Sequence, residues 1–249
     1  MELDLSNKVV AVTGASSGIG EATALVCAKA GAAVSLAARR TDRIEELAKR
    51  IEGDGGKALA VETDVSQEDQ AQRFVQRTAE ELGRLDVLVN NAGLMLLGPI
   101  EAAETEEWRR MVDVNLLGLL YCTHAALPLM QQGGGGHIVN LSSVAGRTAN
   151  LGSGVYNLTK WGVNGFSEAL RQEVLHSGIR VTIVEPGFVE TELQGHNKHP
   201  AVLEQLEKMR EQVDPLEPGD IASAIVYAVA SPQHVSINEV LIRPTRQQR

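Results

Sequence analysis

A phenol and an ammonium stand four residues apart in Tyr156-Asn157-Leu158-Thr159-Lys160. On a helix that spacing puts both groups on one face, about 6 Å apart along the axis, so a proton donor and a fixed positive charge would share one surface. A lone pair of this kind arises often by chance, and Tyr156 read alone is equally a core tyrosine and Lys160 a solvated lysine. Weight comes from their company. Ser142-Ser143 closes one apolar run, and Asn90-Asn91-Ala92-Gly93 closes another.

A glycine loop, Thr13-Gly14-Ala15-Ser16-Ser17-Gly18-Ile19-Gly20, follows the apolar run Val9–Val12. Between a strand and a helix, such a loop lets main-chain N–H groups and the positive end of the helix approach a pyrophosphate. The same residues spell G-x-S-x-G, the nucleophile elbow of a hydrolase with Ser16 as nucleophile, or a strand-to-helix turn with no ligand. Gly20 gives close helix–strand packing that an elbow does not need. No downstream histidine stands in a context that marks a triad base. The next strand bears on the choice: about 20 residues on, an enzyme using NAD carries an acid for the ribose hydroxyl, whereas this chain has Ala38-Arg39-Arg40. Two guanidinium groups favour a ribose 2′-phosphate, so NADP(H) is the expected cofactor.

These residues need a frame to bring them together. Strand-like runs at Lys8–Thr13, Ala33–Ala38, Lys57–Glu62, Val87–Asn90, His137–Leu141, Arg180–Glu185 and Glu239–Ile242 alternate with helix-like stretches. Continuous apolar strands separated by helices imply an α/β, doubly wound parallel sheet covered on both faces, with its ligand crevice at the carboxyl ends of the strands. Gly31 marks the end of the first helix, and Ser66 stands as N-cap before a helix over 67–82. The Gly133–Gly136 run reads as a turn inside one domain spanning 1–249. After Phe188 about 28 residues pass before the next clear helix, with a short apolar stripe at Val202, Leu203, Leu206 and Met209. Excursions of that length are binding loops or lids, here at about 188–215.

Composition excludes several classes. The net charge of −9 opposes general binding to nucleic acid or an anionic membrane. Cys27 and Cys122 lack metal or redox spacing and read as buried free thiols. His196 and His199 lack a third ligand, so no metal is expected. The acidic start MELDLSNK has no signal-peptide pattern, and a cytoplasmic location is expected.

With these motifs in order, the chain resembles the short-chain dehydrogenases/reductases across nearly its whole length: Thr13–Gly20, Asp64, Asn90–Gly93, Asn115, Ser143, Tyr156, Lys160 and Pro186-Gly187 match that pattern. The resemblance implies a Rossmann-type sheet in order 3-2-1-4-5-6-7 and NAD(P)(H)-dependent interconversion of carbonyls and alcohols. It makes Tyr156 the general acid and Ser143 the hydrogen-bond donor to the substrate oxygen. Lys160 would lower the phenol pKa and bind the nicotinamide ribose, and Asn115 would position a water linking Lys160 to solvent. It assigns the cofactor to Gly14, Ser16, Ser17, Gly18, Ile19, Gly20, Arg39, Arg40, Asp64, Val65, Asn91, Ala92, Gly93, Tyr156, Lys160, Pro186, Gly187, Val189 and Thr191. Asp64 would touch the adenine and Thr191 the carboxamide. A tyrosine near pKa 10 must shift by about two units, roughly 2.7 kcal/mol, to exchange protons near neutrality, and one ammonium at about 5 Å supplies about 3 kcal/mol at an effective dielectric of 20. Two departures stand out: Ser17, where NADP-using relatives carry a basic residue, and Glu185, where many carry asparagine.

Within that family the chain resembles clavaldehyde (clavulanate) dehydrogenases and bacterial NADP-dependent serine or 3-hydroxy acid dehydrogenases, through "MLLGPIE", "LRQEV" and "EVLIRPT". The expected pocket wall is Met95, Leu96, Leu97, Leu151, Val155 and Phe188, with Asn150, Glu192 and His196 at its mouth; Ser143 and Tyr156 complete it. That lining suits a mid-sized aldehyde or ketone. A small anionic hydroxy acid would call on Arg147. An NADPH-binding regulator without turnover is the alternative of another class, against which the filled Ser-Tyr-Lys-Asn set argues. Apolar faces on 108–130 and 155–176 imply a homo-oligomer, a tetramer or dimer.

Overall fold

The computed structural model describes residues 3–248; Met1 and Glu2 of the acidic start, and Arg249, lie outside the described residues. Seven strands, β1 (Val9–Thr13), β2 (Ala33–Ala38), β3 (Lys57–Glu62), β4 (Val87–Asn90), β5 (Gly136–Leu141), β6 (Ile179–Pro186) and β7 (Glu239–Ile242), form one sheet in the order β3-β2-β1-β4-β5-β6-β7. All of its pairings are parallel. The expected strands hold to within a residue at each end.

Alternation along β1 assigns the helices to two layers. Val10 and Val12 face a core shared with α1 (Gly18–Lys29), α2 (Thr41–Gly53) and α8 (Pro218–Val229), through Ala24, Cys27, Ile44, Leu47, Ile221 and Ile225. Ala11 faces the opposite core, filled by Phe74 and Val75 of α3 (Glu68–Leu82), Cys122, Ala126 and Met130 of α5 (Gly118–Gln132) and Leu170 of α6 (Gly154–Glu173). Because every central strand is buried on both faces, the runs are continuously apolar. Cys27 and Cys122 are buried free thiols. The helix α4 (Thr105–Val112) runs through a π-helical turn at Asp113–Leu117 into α5. That continuous rod of 28 residues is long and apolar enough to cross a bilayer by length and composition, yet its Cys122, Ala126 and Met130 share a core with Leu88 and Ile138 of the sheet.

Three local expectations change. The N-cap of α3 is Gln67 rather than Ser66, because the Ser66 hydroxyl donates to the Asp64 carboxylate at 2.7 Å and is no longer available to the helix. Gly31, at φ 95°, does follow the end of α1. The stretch after Phe188 is not helix-free: a 3₁₀ turn at Glu192–His196 leads into α7 (Pro200–Gln212). The missed signal is Pro200 at the first helical position, where its fixed φ suits a helix start; the stripe at Val202, Leu206 and Met209 belongs to this helix and lines the main cleft.

The end of β6 carries a buried charge. Glu185, 0 % exposed, accepts from Arg147 Nε at 2.6 Å and from Asn164 Nδ2 at 2.8 Å, and Arg147 also pairs with Glu239 at the start of β7. Arg147 follows a short 3₁₀ turn, Val144–Gly146, so this pair ties the loop after β5 to the ends of β6 and β7. Removing one partner of a buried pair leaves an uncompensated charge; with the guanidinium one-third exposed, the low end of the known range applies. Arg147→Met should therefore cost about 3 kcal/mol in urea unfolding. Adding Glu185→Leu to it should recover part of that loss, and a double variant no more stable than the single one would refute the charge argument.

Candidate active site

The sheet order reverses between β1 and β4, so the loops after these two strands part and leave a crevice. One cluster of hydrogen bonds builds its floor. The Thr13 hydroxyl accepts from the N–H groups of Asn91 and Ala92, each at 3.0 Å, and Asn91 Nδ2 donates to the carbonyls of Thr13 at 2.8 Å and Gly14 at 3.2 Å. A Cβ on Gly14, whose φ is +67°, would lie 2.8 Å from Ala92 Cα, and one on Gly20 would run into the Gly14 carbonyl oxygen. The glycines therefore permit an approach of main chain to main chain that no other residue allows. Above this floor Gly18 opens α1 with Ser17 as N-cap, and first-turn N–H groups have no intrahelical partner. A cradle of main-chain donors at a helix start fits a dinucleotide pyrophosphate. Asn90, in contrast, turns inward to Thr123 and Asn140.

The first turn of α2 adds the positive charge. Arg40 donates to Ser16 Oγ through Nε at 3.1 Å and Nη2 at 2.9 Å, and to Ser17 Oγ at 2.7 Å. The cation that Ser17 does not itself supply is thus brought to the loop by Arg40. Ser16 Oγ accepts from a guanidinium, which takes up no proton, and this arrangement does not make a nucleophile. Arg40 and Arg43 each also hold one oxygen of Glu192, both at 2.7 Å. Arg39 lines the cleft but makes no hydrogen bond or ion pair among the described residues.

Tyr156 and Lys160 share the buried face of α6, with Lys160 Nζ 5.8 Å from the centre of the phenol ring. Lys160 Nζ donates to the Leu141 carbonyl at 2.7 Å. Ser143, at the end of β5, accepts from Ala145 N–H at 3.1 Å, and its hydroxyl meets the phenol. Burial pushes the Tyr156 phenol up to about 12, with the Ser143 hydrogen bond acting in the other direction; burial lowers the Lys160 ammonium to about 8. In this dry site the loss of solvation of the phenolate sets the direction of the shift, opposite to the one expected from the Lys160 charge alone. Asn115 lies in the π-helical turn, 2 % exposed. Its Oδ1 accepts from Leu94 N–H at 2.7 Å, while Nδ2 donates to Leu94 O at 2.8 Å and to Thr159 Oγ1 at 3.1 Å. The side chain is spent on protein partners, so the expected water-positioning role would fall to its main chain.

Glycine loop, arginines and phenol all open onto one cleft of about 620 Å³. Ser16, Ile19, Asp64, Val65, Ala92, Gly93, Pro186, Gly187, Val189 and Thr191 border it, as do Met95, Phe188, Glu192 and His196; Gly20 and Asn115 stand behind its wall. Leu96 and Val155 do not reach the cleft and pack in a small cluster around Met111 and Tyr156. Leu151 is at the rim and 98 % exposed. Glu192 belongs to the arginine end of the cleft. Arg147, tied to Glu185, does not line it. Three residues were not legible in advance. Arg43 lies one helical turn from Arg40; Asn197 Oδ1 accepts from Leu97 N–H at 2.8 Å, fastening the segment after β6 to the loop after β4; and Gln247, near the chain end, accepts from Phe188 N–H at 2.8 Å. An arginine at helical spacing after Arg40 was the signal for the first, and local sequence offers none for the others.

Comparison with known proteins agrees with this geometry. The family model described as short chain dehydrogenase matches residues 8–201. An uncharacterised oxidoreductase of Staphylococcus saprophyticus is 41% identical over 247 residues, 98% of each chain. The closed form of a serine dehydrogenase complexed with NADP+ superposes with a TM-score of 0.89 at 34% identity, over 97% of this chain and 96% of that one. An alcohol dehydrogenase from the archaeon Thermococcus sibiricus, complexed with 5-hydroxy-NADP, gives 0.87 at 30% identity over 97% and 98%. The chain belongs to the short-chain dehydrogenase family of NAD(P)-dependent oxidoreductases.

Proposed function

We propose that the protein reduces an aldehyde or ketone to an alcohol with NADPH, reversibly, with Tyr156 as general acid. The observation that carries this reading is the convergence of a buried phenol, a buried ammonium and a serine hydroxyl on the same cleft as a glycine cradle and the guanidinium groups of Arg39 and Arg40. A dinucleotide held there supplies hydride to the carbonyl carbon. Gly14, Ser17 and Gly18 would hold its pyrophosphate, Arg39 and Arg40 with the adjacent Arg43 its 2′-phosphate, and Lys160 its nicotinamide ribose. The NADP complexes of two solved relatives support that preference.

The chain's own groups then manage one proton. With its pKa raised to about 12, Tyr156 is protonated throughout the neutral range and serves as donor. Ser143 holds the carbonyl oxygen, and the Lys160 cation stabilises the phenolate left when the proton moves. Asn115 acts as a positioning residue, clamping Leu94 to Thr159 on α6. The lining by Met95, Leu97 and Phe188 favours a mid-sized aldehyde or ketone. The second reading, a small 3-hydroxy acid or serine-like substrate, is favoured by the likeness to serine dehydrogenase, but the arginine expected to bind its carboxylate is committed to Glu185. Exposed Leu158 and Trp161 on α6 support a homotetramer or dimer that covers them, and two unpaired thiols suit the cytoplasm.

Following NADPH absorbance across a panel of aldehydes, ketones and 3-oxo acids tests the reading; binding without turnover of any of them would favour a regulator. Tyr156→Phe should lower kcat by about 10²- to 10⁴-fold with NADPH affinity unchanged, and near-normal turnover would remove Tyr156 from the chemistry. The sign of the pH dependence follows from Lys160. Its ammonium is charged below about 8 and neutral above, so kcat/KM for reduction should be level at lower pH and fall above about 8; a profile flat to pH 10 contradicts a required cation. Arg40→Ala should weaken NADPH relative to NADH by about ten- to a hundredfold, whereas an unchanged ratio would place the 2′-phosphate elsewhere.

A further inference from the structure

The guanidinium pair assigned to the 2′-phosphate is already bridged by a carboxylate. Glu192 gives one oxygen to Arg40 and the other to Arg43, each at 2.7 Å, the two-point grip that a phosphate would receive from the same donors. Its partners hold its carboxyl well down, to about 2, the Arg43 hydrogen bond first and Arg40 second. The carboxylate belongs to the segment after β6 and reaches more than 140 positions back along the chain to do this. Its neighbour Thr191 closes on the glycine loop from the same side: a Cβ on Gly18 would lie 3.1 Å from Thr191 Cγ2. Thr191 and Gln194 brace the turn internally, through Thr191 Oγ1 to Gln194 Oε1 at 3.1 Å and Gln194 Nε2 to Val189 O at 2.8 Å. The segment therefore lies as a unit across the adenosine end of the cleft, fastened to α2 by Glu192.

We infer that Glu192 is an internal stand-in for the 2′-phosphate, a latch that the phosphorylated cofactor displaces and the unphosphorylated one leaves in place. The inference rests on the reading that Arg40 and Arg43 receive that phosphate. A carboxylate and a phosphate dianion cannot share the two guanidinium groups, because like charges at contact distance repel. Entry of the phosphate therefore expels Glu192 and frees the turn at Glu192–His196. A nucleotide lacking the phosphate has nothing to exchange for the carboxylate. Glu192 is on this account a specificity-determining residue: it makes binding of the phosphorylated cofactor and release of the lid one event.

Two probes without a nicotinamide ring separate the possibilities, adenosine 2′,5′-bisphosphate and 5′-AMP. Their affinities for the wild-type protein and for Glu192→Gln are measured by calorimetry, with hydrogen exchange of residues 191–196 as a second readout. In Glu192→Gln the bisphosphate should bind about three- to tenfold tighter, the worth of two half-exposed ion pairs, with 5′-AMP unchanged. In the wild type the bisphosphate, but not 5′-AMP, should speed exchange at Leu193 and Gln194; in the variant exchange should be fast without ligand. A wild-type preference for the bisphosphate combined with unchanged or weaker binding in Glu192→Gln overturns the latch alone. Equal wild-type affinity for both probes overturns the NADP(H) reading, and the latch with it.

Discussion

The structure depends on one junction, the hydrogen-bonded seam where the loop after β1 meets the loop after β4. Thr13 and Asn91 are almost eighty residues apart in the chain, yet each satisfies the other's main chain across the point where the sheet order reverses. Two strands that part there would otherwise leave buried N–H and C=O groups without partners, at a cost of about 1–3 kcal/mol each. The seam removes that cost and sets the height of the crevice floor. Gly14 and Gly20 then let the first loop lie against it, because any side chain at either position would collide with backbone or with Asn91. Everything that faces the cleft is placed relative to this floor.

The second constraint is dryness. Tyr156 and Lys160 are both almost fully buried, and burial shifts each pKa in favour of that group's own neutral form, up to about 12 for the phenol and down to about 8 for the ammonium. A simple Coulomb estimate for two charges in a medium of high effective dielectric has the ammonium acidifying the phenol. It omits the solvation that both groups lose. The phenol is held as an acid, and the ammonium remains charged at neutral pH to receive the phenolate. Both conditions suit a donor in carbonyl reduction.

Charge is distributed with the same economy around the rim. An acidic protein, net −9, sets Arg40 and Arg43 beside one end of the cleft and neutralises them with Glu192 from the segment after β6. Toward the opposite edge of the sheet Arg147 is held by Glu185 and does not line the cleft. The same residue type faces a carboxylate at the cleft in one place and a buried carboxylate of the scaffold in the other.

Much of this was legible in the residues. The continuous apolar strands, the helix signals between them and the spacing of Tyr156 from Lys160 are local patterns, because burial on two faces and helical periodicity act over a few residues. From them came the doubly wound sheet and its strand boundaries to within a residue; most of the residues bordering the cleft came from the resemblance to the family. The helix at Pro200–Gln212 was missed despite a local signal in Pro200, and Ser66 misled because Asp64 competes for its hydroxyl. What local sequence did not contain was pairing between distant polar and charged groups. Glu185 with Arg147, Glu192 with Arg40 and Arg43, and Gln247 with Phe188 are separated by 38 to 152 positions. The sequence by itself determined which groups are present and which elements carry them. Tertiary structure decided their partners and their protonation, since Coulomb attraction and loss of solvation depend on distance and burial in space and not on position along the chain.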